Sequence, residues 1–100
     1  MFWTKDPREK VRNILINMYG AITSKVKSGG GAPSWKKYDR NTKKLRRLIE
    51  KESSVRAMRF DIDEEEKMSL EDILNRLDSM EPTQFREMST LLYKTTRSLS

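Results

Sequence analysis

SWKKYDRNTKKLRRLIEK, residues 34–51, is the stretch on which the fold turns. Placed about 100° apart around a helix axis, its residues separate onto two faces. Trp35, Tyr38, Thr42, Leu45, Leu48 and Ile49 share one side. Lys36, Lys37, Arg40, Lys43, Lys44, Arg47 and Lys51 fall within roughly a third of the circle opposite. Ser34 has the hydroxyl that an N-cap needs to accept a backbone N–H of the first turn. The pattern predicts an amphipathic helix near 34–53 with a core stripe and a cationic stripe. A later start at Asn41, with 34–40 as loop, is the alternative. Arg46 falls on the margin, near Asp39 and Glu50.

On the N-terminal side, Asp6-Pro7-Arg8-Glu9 is a helix start: a capping carboxylate, a proline at the first helical position and an acid that completes a capping box. Val11, Ile14, Leu15, Met18, Ile22 and Val26 follow at helical spacing, with Tyr19 at one margin, which predicts a helix near 7–27. Ile16 lies outside that stripe and is a candidate partner contact. Gly20 costs a helix interior about 1 kcal/mol relative to Ala. It marks either a close backbone approach or a weak point. Gly29-Gly30-Gly31 and Pro33 end the helix in a flexible, Gly-rich connection over 28–33.

On the C-terminal side, Met58, Phe60 and Ile62 alternate with Arg59 and Asp61 as in a strand, while Val55, Met58 and Ile62 also fit a helix. A lone strand needs a partner. None is evident, so a short extended or irregular connection near 54–63 is expected, with Asp61 and Asp63 to Glu66 as an acidic, solvated loop. Ser69 caps a helix near 69–80, whose apolar face is Leu70, Ile73, Leu74, Leu77 and Met80. Glu81-Pro82-Thr83-Gln84 opens a last helix near 82–97, carrying Phe85, Met88, Leu92 and Leu99, with Leu91 and Tyr93 at its edges. The expected fold is all-α: a small bundle of about four helices in a single domain over 1–100.

Composition narrows the function classes. With 35% hydrophobic and 36% charged residues, one face of each helix can be buried and little more. The chain has neither cysteine nor histidine, so disulfides, thiolate chemistry and the commonest general base and metal ligand are all missing. No acid pair has catalytic spacing. Gly29-Gly30-Gly31 is followed by Ala32-Pro33-Ser34, not by the Gly-Lys-Ser/Thr ending of a phosphate loop. The acids from Asp61 to Glu66 lack the central glycine of an EF-hand. A non-enzymatic protein without cofactor, metal or small-molecule substrate is expected. No apolar run is long enough to span a bilayer, and Met1-Phe2-Trp3 runs into Thr4-Lys5-Asp6-Pro7 without a secretory pattern. An intracellular protein, cytoplasmic or nuclear, is expected.

The net charge of +6 is unevenly spread: residues 1–60 hold 16 Lys/Arg against 5 Asp/Glu, and residues 61–100 hold 5 against 10. The basic front points to an anionic partner, or to attraction between the two halves within the fold or across a homodimer. Seven cations on one stripe suit a phosphate backbone, because neutralisation releases condensed counterions. The expected partner is RNA or double-stranded nucleic acid; the aromatics of that helix lie on its apolar side, which favours double strands over single ones. Three further partners compete. An accessory or regulatory protein-interaction module, of viral or phage type among others, would use Ile16, Met68 and the edge aromatics. An anionic membrane would engage the basic stripe together with Phe2 and Trp3. A calmodulin-like protein would span Trp35 to Leu48. Lys43-Lys44-Leu45-Arg46 also matches a short nuclear-import pattern.

Overall fold

A computed structural model describes residues 6–27, 34–63 and 66–99. The expected connection over 28–33 and the candidate membrane contacts Phe2 and Trp3 lie outside the described residues. Helix α1 (Pro7–Lys27) is followed by α2 (Trp35–Lys51), the single-turn α3 (Ser53–Arg56), strands β1 (Arg59–Asp63) and β2 (Glu66–Ser69), and α4 (Leu70–Asp78). A 3₁₀ turn, Pro82–Gln84, then leads into α5 (Phe85–Ser98). The fold is a small helical bundle of four main helices with one short antiparallel hairpin at its side.

Capping chemistry sets the helix starts. Asp6 Oδ1 accepts from Arg8 N (2.9 Å), Ser34 Oγ from Lys37 N (3.4 Å) and Ser69 Oγ from Asp72 N (3.1 Å). Glu81 and Gln84 form a reciprocal capping box, in which Glu81 N donates to Gln84 Oε1 at 3.0 Å. Each bond satisfies a first-turn donor that would otherwise have no partner.

α1 lies between α2 and α5. Ser34 N donates to Ala21 O (2.8 Å) at the start of α2, and Lys10 pairs with Glu52 (3.7 Å) just past its end. These two ties run α2 antiparallel back along α1. On the other flank, Tyr19 meets Tyr93 and Leu99 lies near Arg8, so α5 is antiparallel as well. Val11, Leu15, Met18 and Ile22 of α1 are fully buried against Leu45 and Ile49 of α2, Ile73, Leu74 and Leu77 of α4, and Met88 and Leu92 of α5.

The connection expected near 54–63 becomes α3 and β1, and the strand is not alone. Correcting the expectation that no partner exists, β1 pairs antiparallel with β2 in the register Arg59↔Ser69, Phe60↔Met68 and Asp61↔Lys67. Asp61 and Asp63 are therefore strand residues and not part of a loop. Alternation explains the pairing: Phe60, Ile62 and Met68 turn inward and are buried, while Arg59, Asp61 and Lys67 face water. β1 packs on α5, where Asp61 N donates to Ser98 Oγ at 3.0 Å.

Gly20 is a weak point within the chain and not a close approach. It sits inside α1, and a Cβ built on it meets nothing within 4 Å. Gly20→Ala is expected to raise the stability of the folded chain by about 1 kcal/mol, because Ala loses less backbone entropy on folding. In a domain of this size that is a rise in Tm of about 4–8 °C, read by thermal unfolding in dilute solution.

Candidate nucleic-acid interface

α2 is held as the sequence pattern requires. Tyr38, Leu45 and Ile49 are buried, and Trp35, Thr42 and Leu48 are half-buried. Trp35 and Tyr38 meet edge to face, with ring centroids 5.6 Å apart, on this inward side. The helix starts at Trp35, so the alternative start at Asn41 does not hold. Asn41 is instead a buried polar residue on the core side, its Nδ2 donating to Lys37 O at 2.9 Å.

The C-terminal end of α2 is fixed by contacts that the pattern did not reveal. Arg56 Nη1 donates to the carbonyls of Ile49 (2.7 Å) and Glu50 (2.9 Å), and Glu52 N donates to Leu48 O (2.9 Å). A cation on the last carbonyls of a helix satisfies orphan acceptors and complements the helix dipole. Arg46, on the margin of the helix, bonds Asp78 of α4, the ion pair among the described residues that joins the basic and acidic halves. Both partners are more than a third exposed, so this pair contributes at most about 1 kcal/mol.

Lys36, Lys37, Arg40, Lys43, Lys44, Arg47 and Lys51 are all exposed. The ion pairs among the described residues are Lys10–Glu52, Arg46–Asp78 and Lys67–Asp61, so none of the seven is paired there. Over Lys36 to Lys51 they extend along about 23 Å of helix axis.

Two recesses run along the α1–α2 seam beside this stripe. One, of about 510 Å³, has Asn17 and Asn41 beneath Lys36, Lys37, Arg40 and Lys44. The next, of about 370 Å³, has Ile14 and Leu48 as its floor and Lys10, Lys44 and Arg47 on its rim. Lys44 borders both, so the two form one groove with a polar end and an apolar end. Sequence periodicity finds the cations but not this groove, because Asn13 and Asn17 come from the outer side of another helix. No cluster of acidic side chains that could hold a metal is present among the described residues.

One buried group of α2 has no partner. The Tyr38 hydroxyl is enclosed without a hydrogen bond. Burial first, and then the Asp78 and Asp39 carboxylates, push its pKa above the ordinary value of 10.0. The fold therefore favours the protonated phenol. Its contribution to stability is whole below about pH 10 and is lost as the pH rises from there. Tyr38→Phe removes an unsatisfied polar atom and is expected to leave stability at pH 7 unchanged or raised by up to about 2 kcal/mol. The same variant flattens the alkaline limb of the stability–pH curve, measured by urea unfolding between pH 8 and 11.

No helix among the described residues is long and apolar enough to cross a membrane. No protein-family model, curated protein or solved structure matches the chain.

Proposed function

We propose that the chain is a non-enzymatic, intracellular binding protein whose α2 face engages the phosphate backbone of RNA or double-stranded nucleic acid. The observation that supports this reading most is that seven cations stand exposed on one firmly docked helix, with no ion pair to any described acid. Phosphates neutralise such a stripe and release counterions, and this term is independent of sequence. Asn17, exposed at the polar end of the groove, adds amide hydrogen bonds to phosphate or sugar oxygens. A duplex suits the face better than a single strand, since Trp35 and Tyr38 meet edge to face toward the core and offer no platform for bases.

A second reading rests on the other end of the groove. The Ile14–Leu48 floor beneath Lys10, Lys44 and Arg47 fits an acidic amphipathic helix of a protein partner, which would set apolar side chains on the floor and carboxylates on the rim. Salt separates the two, because phosphate binding is dominated by charge and helix docking by apolar burial.

A polynucleotide titration over a salt series checks the first reading. With about 5–7 phosphates neutralised, log K falls against log salt with a slope of about −4 to −6. Reversing Lys43, Lys44 and Arg47 to Glu abolishes the binding while the circular dichroism spectrum stays native, since all three side chains are exposed. Absence of binding at low salt overturns this reading. Retention on anionic vesicles without polynucleotide binding moves the face to a membrane partner.

A further inference from the structure

A small recess opens between the start of α2, the end of α4 and the start of α5. It holds about 170 Å³, and its walls include Trp35, Tyr38 and Asp39, Leu77 and Asp78, and Met88. Ordinary small-molecule pockets run from about 300 to 1,000 Å³, so this one admits a headgroup or the end of a side chain and not a nucleobase.

Tyr38 is only 5% exposed, and its hydroxyl is the one buried side-chain polar atom among the described residues that lacks a hydrogen-bond partner. The carboxylates near enough to act on that hydroxyl are Asp78 and Asp39, and both line the recess. The hydroxyl end of the ring therefore stands at its wall. The Trp35 and Tyr38 rings, 5.6 Å apart and inclined at 79°, make an aromatic corner. Asp39 is the one acid of α2 before Glu50. Lys36 and Lys43 lie three and four residues from it on the same helix, yet it forms no ion pair among the described residues. Asp78 is already matched by Arg46. One uncompensated negative charge thus remains at the recess, on a helix that is otherwise densely cationic.

These features narrow the occupant. The two carboxylates repel an anion. A bare divalent cation takes six or more oxygen ligands, and the recess offers two carboxylates, one of them paired. A neutral apolar group leaves both the hydroxyl and the Asp39 charge unanswered. A small organic cation answers every feature at once: an N–H donates to the Tyr38 hydroxyl oxygen, the charge sits against Asp39, and alkyl groups rest on Trp35, Leu77 and Met88.

We propose that the recess is a binding site for a methylated ammonium group that keeps at least one N–H, carried by a lysine side chain of a partner protein or by a free small amine. An unmethylated ammonium holds its water more tightly and has less apolar surface to bury. A quaternary one has no hydrogen to give. The recess is separate from the outward lysines and arginines of α2, so the inference stands whether or not they bind phosphate.

Titration of the full chain with dimethylammonium chloride tests the proposal, followed by the nitrogen–proton NMR signal of the Trp35 indole, which Trp35→Phe assigns by its loss. Sodium chloride at equal concentration is the control. A saturable shift with a millimolar Kd is expected, the range open to so small an ion. Dimethylammonium binds about fivefold more tightly than tetramethylammonium, the worth of one hydrogen bond, and Tyr38→Phe removes that preference. Asp39→Asn weakens both ions about fivefold, and it keeps the fold because Asp39 is exposed. A Gly/Ser peptide bearing one dimethyllysine separates the two sources. Tighter binding than the free ion and than the unmethylated peptide assigns the site to a protein partner; binding no tighter than the free ion assigns it to a small amine. A Trp35 signal that moves no further than in sodium chloride overturns the proposal, as does binding indifferent to Asp39→Asn. Equal affinity for tetramethylammonium overturns the role given to the Tyr38 hydroxyl.

Discussion

Docking of the inward stripe of α2 is the constraint on which the rest depends. Taken alone, residues 35–51 form a poor helix. Lys36 with Arg40, Arg40 with Lys43 and Lys44, Lys43 with Arg47, and Arg47 with Lys51 are like charges three or four residues apart, and each such pair costs about 0.2–0.5 kcal/mol. Burying Leu45 and Ile49 offsets this, at about 1.5–3 kcal/mol for each fully buried aliphatic side chain. The Ser34 cap and the Arg56 contacts hold the two ends. α1, α3 and α4 thus maintain a concentration of positive charge that the helix would not sustain by itself. Because none of the ion pairs among the described residues involves these seven cations, that repulsion persists in the free protein, and an anionic ligand would relieve it.

Much of this was legible in the sequence, for a physical reason. Helix caps and helical periodicity are local, and they are carried by residues within one turn of the feature they determine. Ser34, Ser69 and the Glu81–Gln84 pair could be read directly, as could the Trp35–Ile49 stripe and the outward lysines and arginines. Ile16 stood apart from the core face in the sequence, and it stands exposed in the structure.

What escaped depends on residues far apart or on elements too short to form a pattern. β2 has four residues, of which Met68 alone is apolar, and the chain between the strands lacks the Asn-Gly or Gly signal of a tight hairpin. Its last residue, Ser69, also caps α4, and that stronger local signal hid the strand. Arg46 could be placed on a margin of the wheel, but its partner Asp78 is 32 residues away. Asn41 looks like a helix start by residue type, yet its amide is satisfied by the preceding turn, which lets a polar residue sit on the core side. The groove beside α2 needs Asn13, Ile14 and Asn17 of α1, so no reading of a single helix could contain it.

α1 shows why a helix with apolar residues around much of its circumference is informative. A helix that only covers a core has one apolar stripe and a polar outer face. α1 departs from that where its outer face carries the exposed Ile16 and a glycine with open space above it. A mid-helix glycine with no contact inside the chain lowers stability without any return from packing, so its packing role must lie outside the chain or be absent.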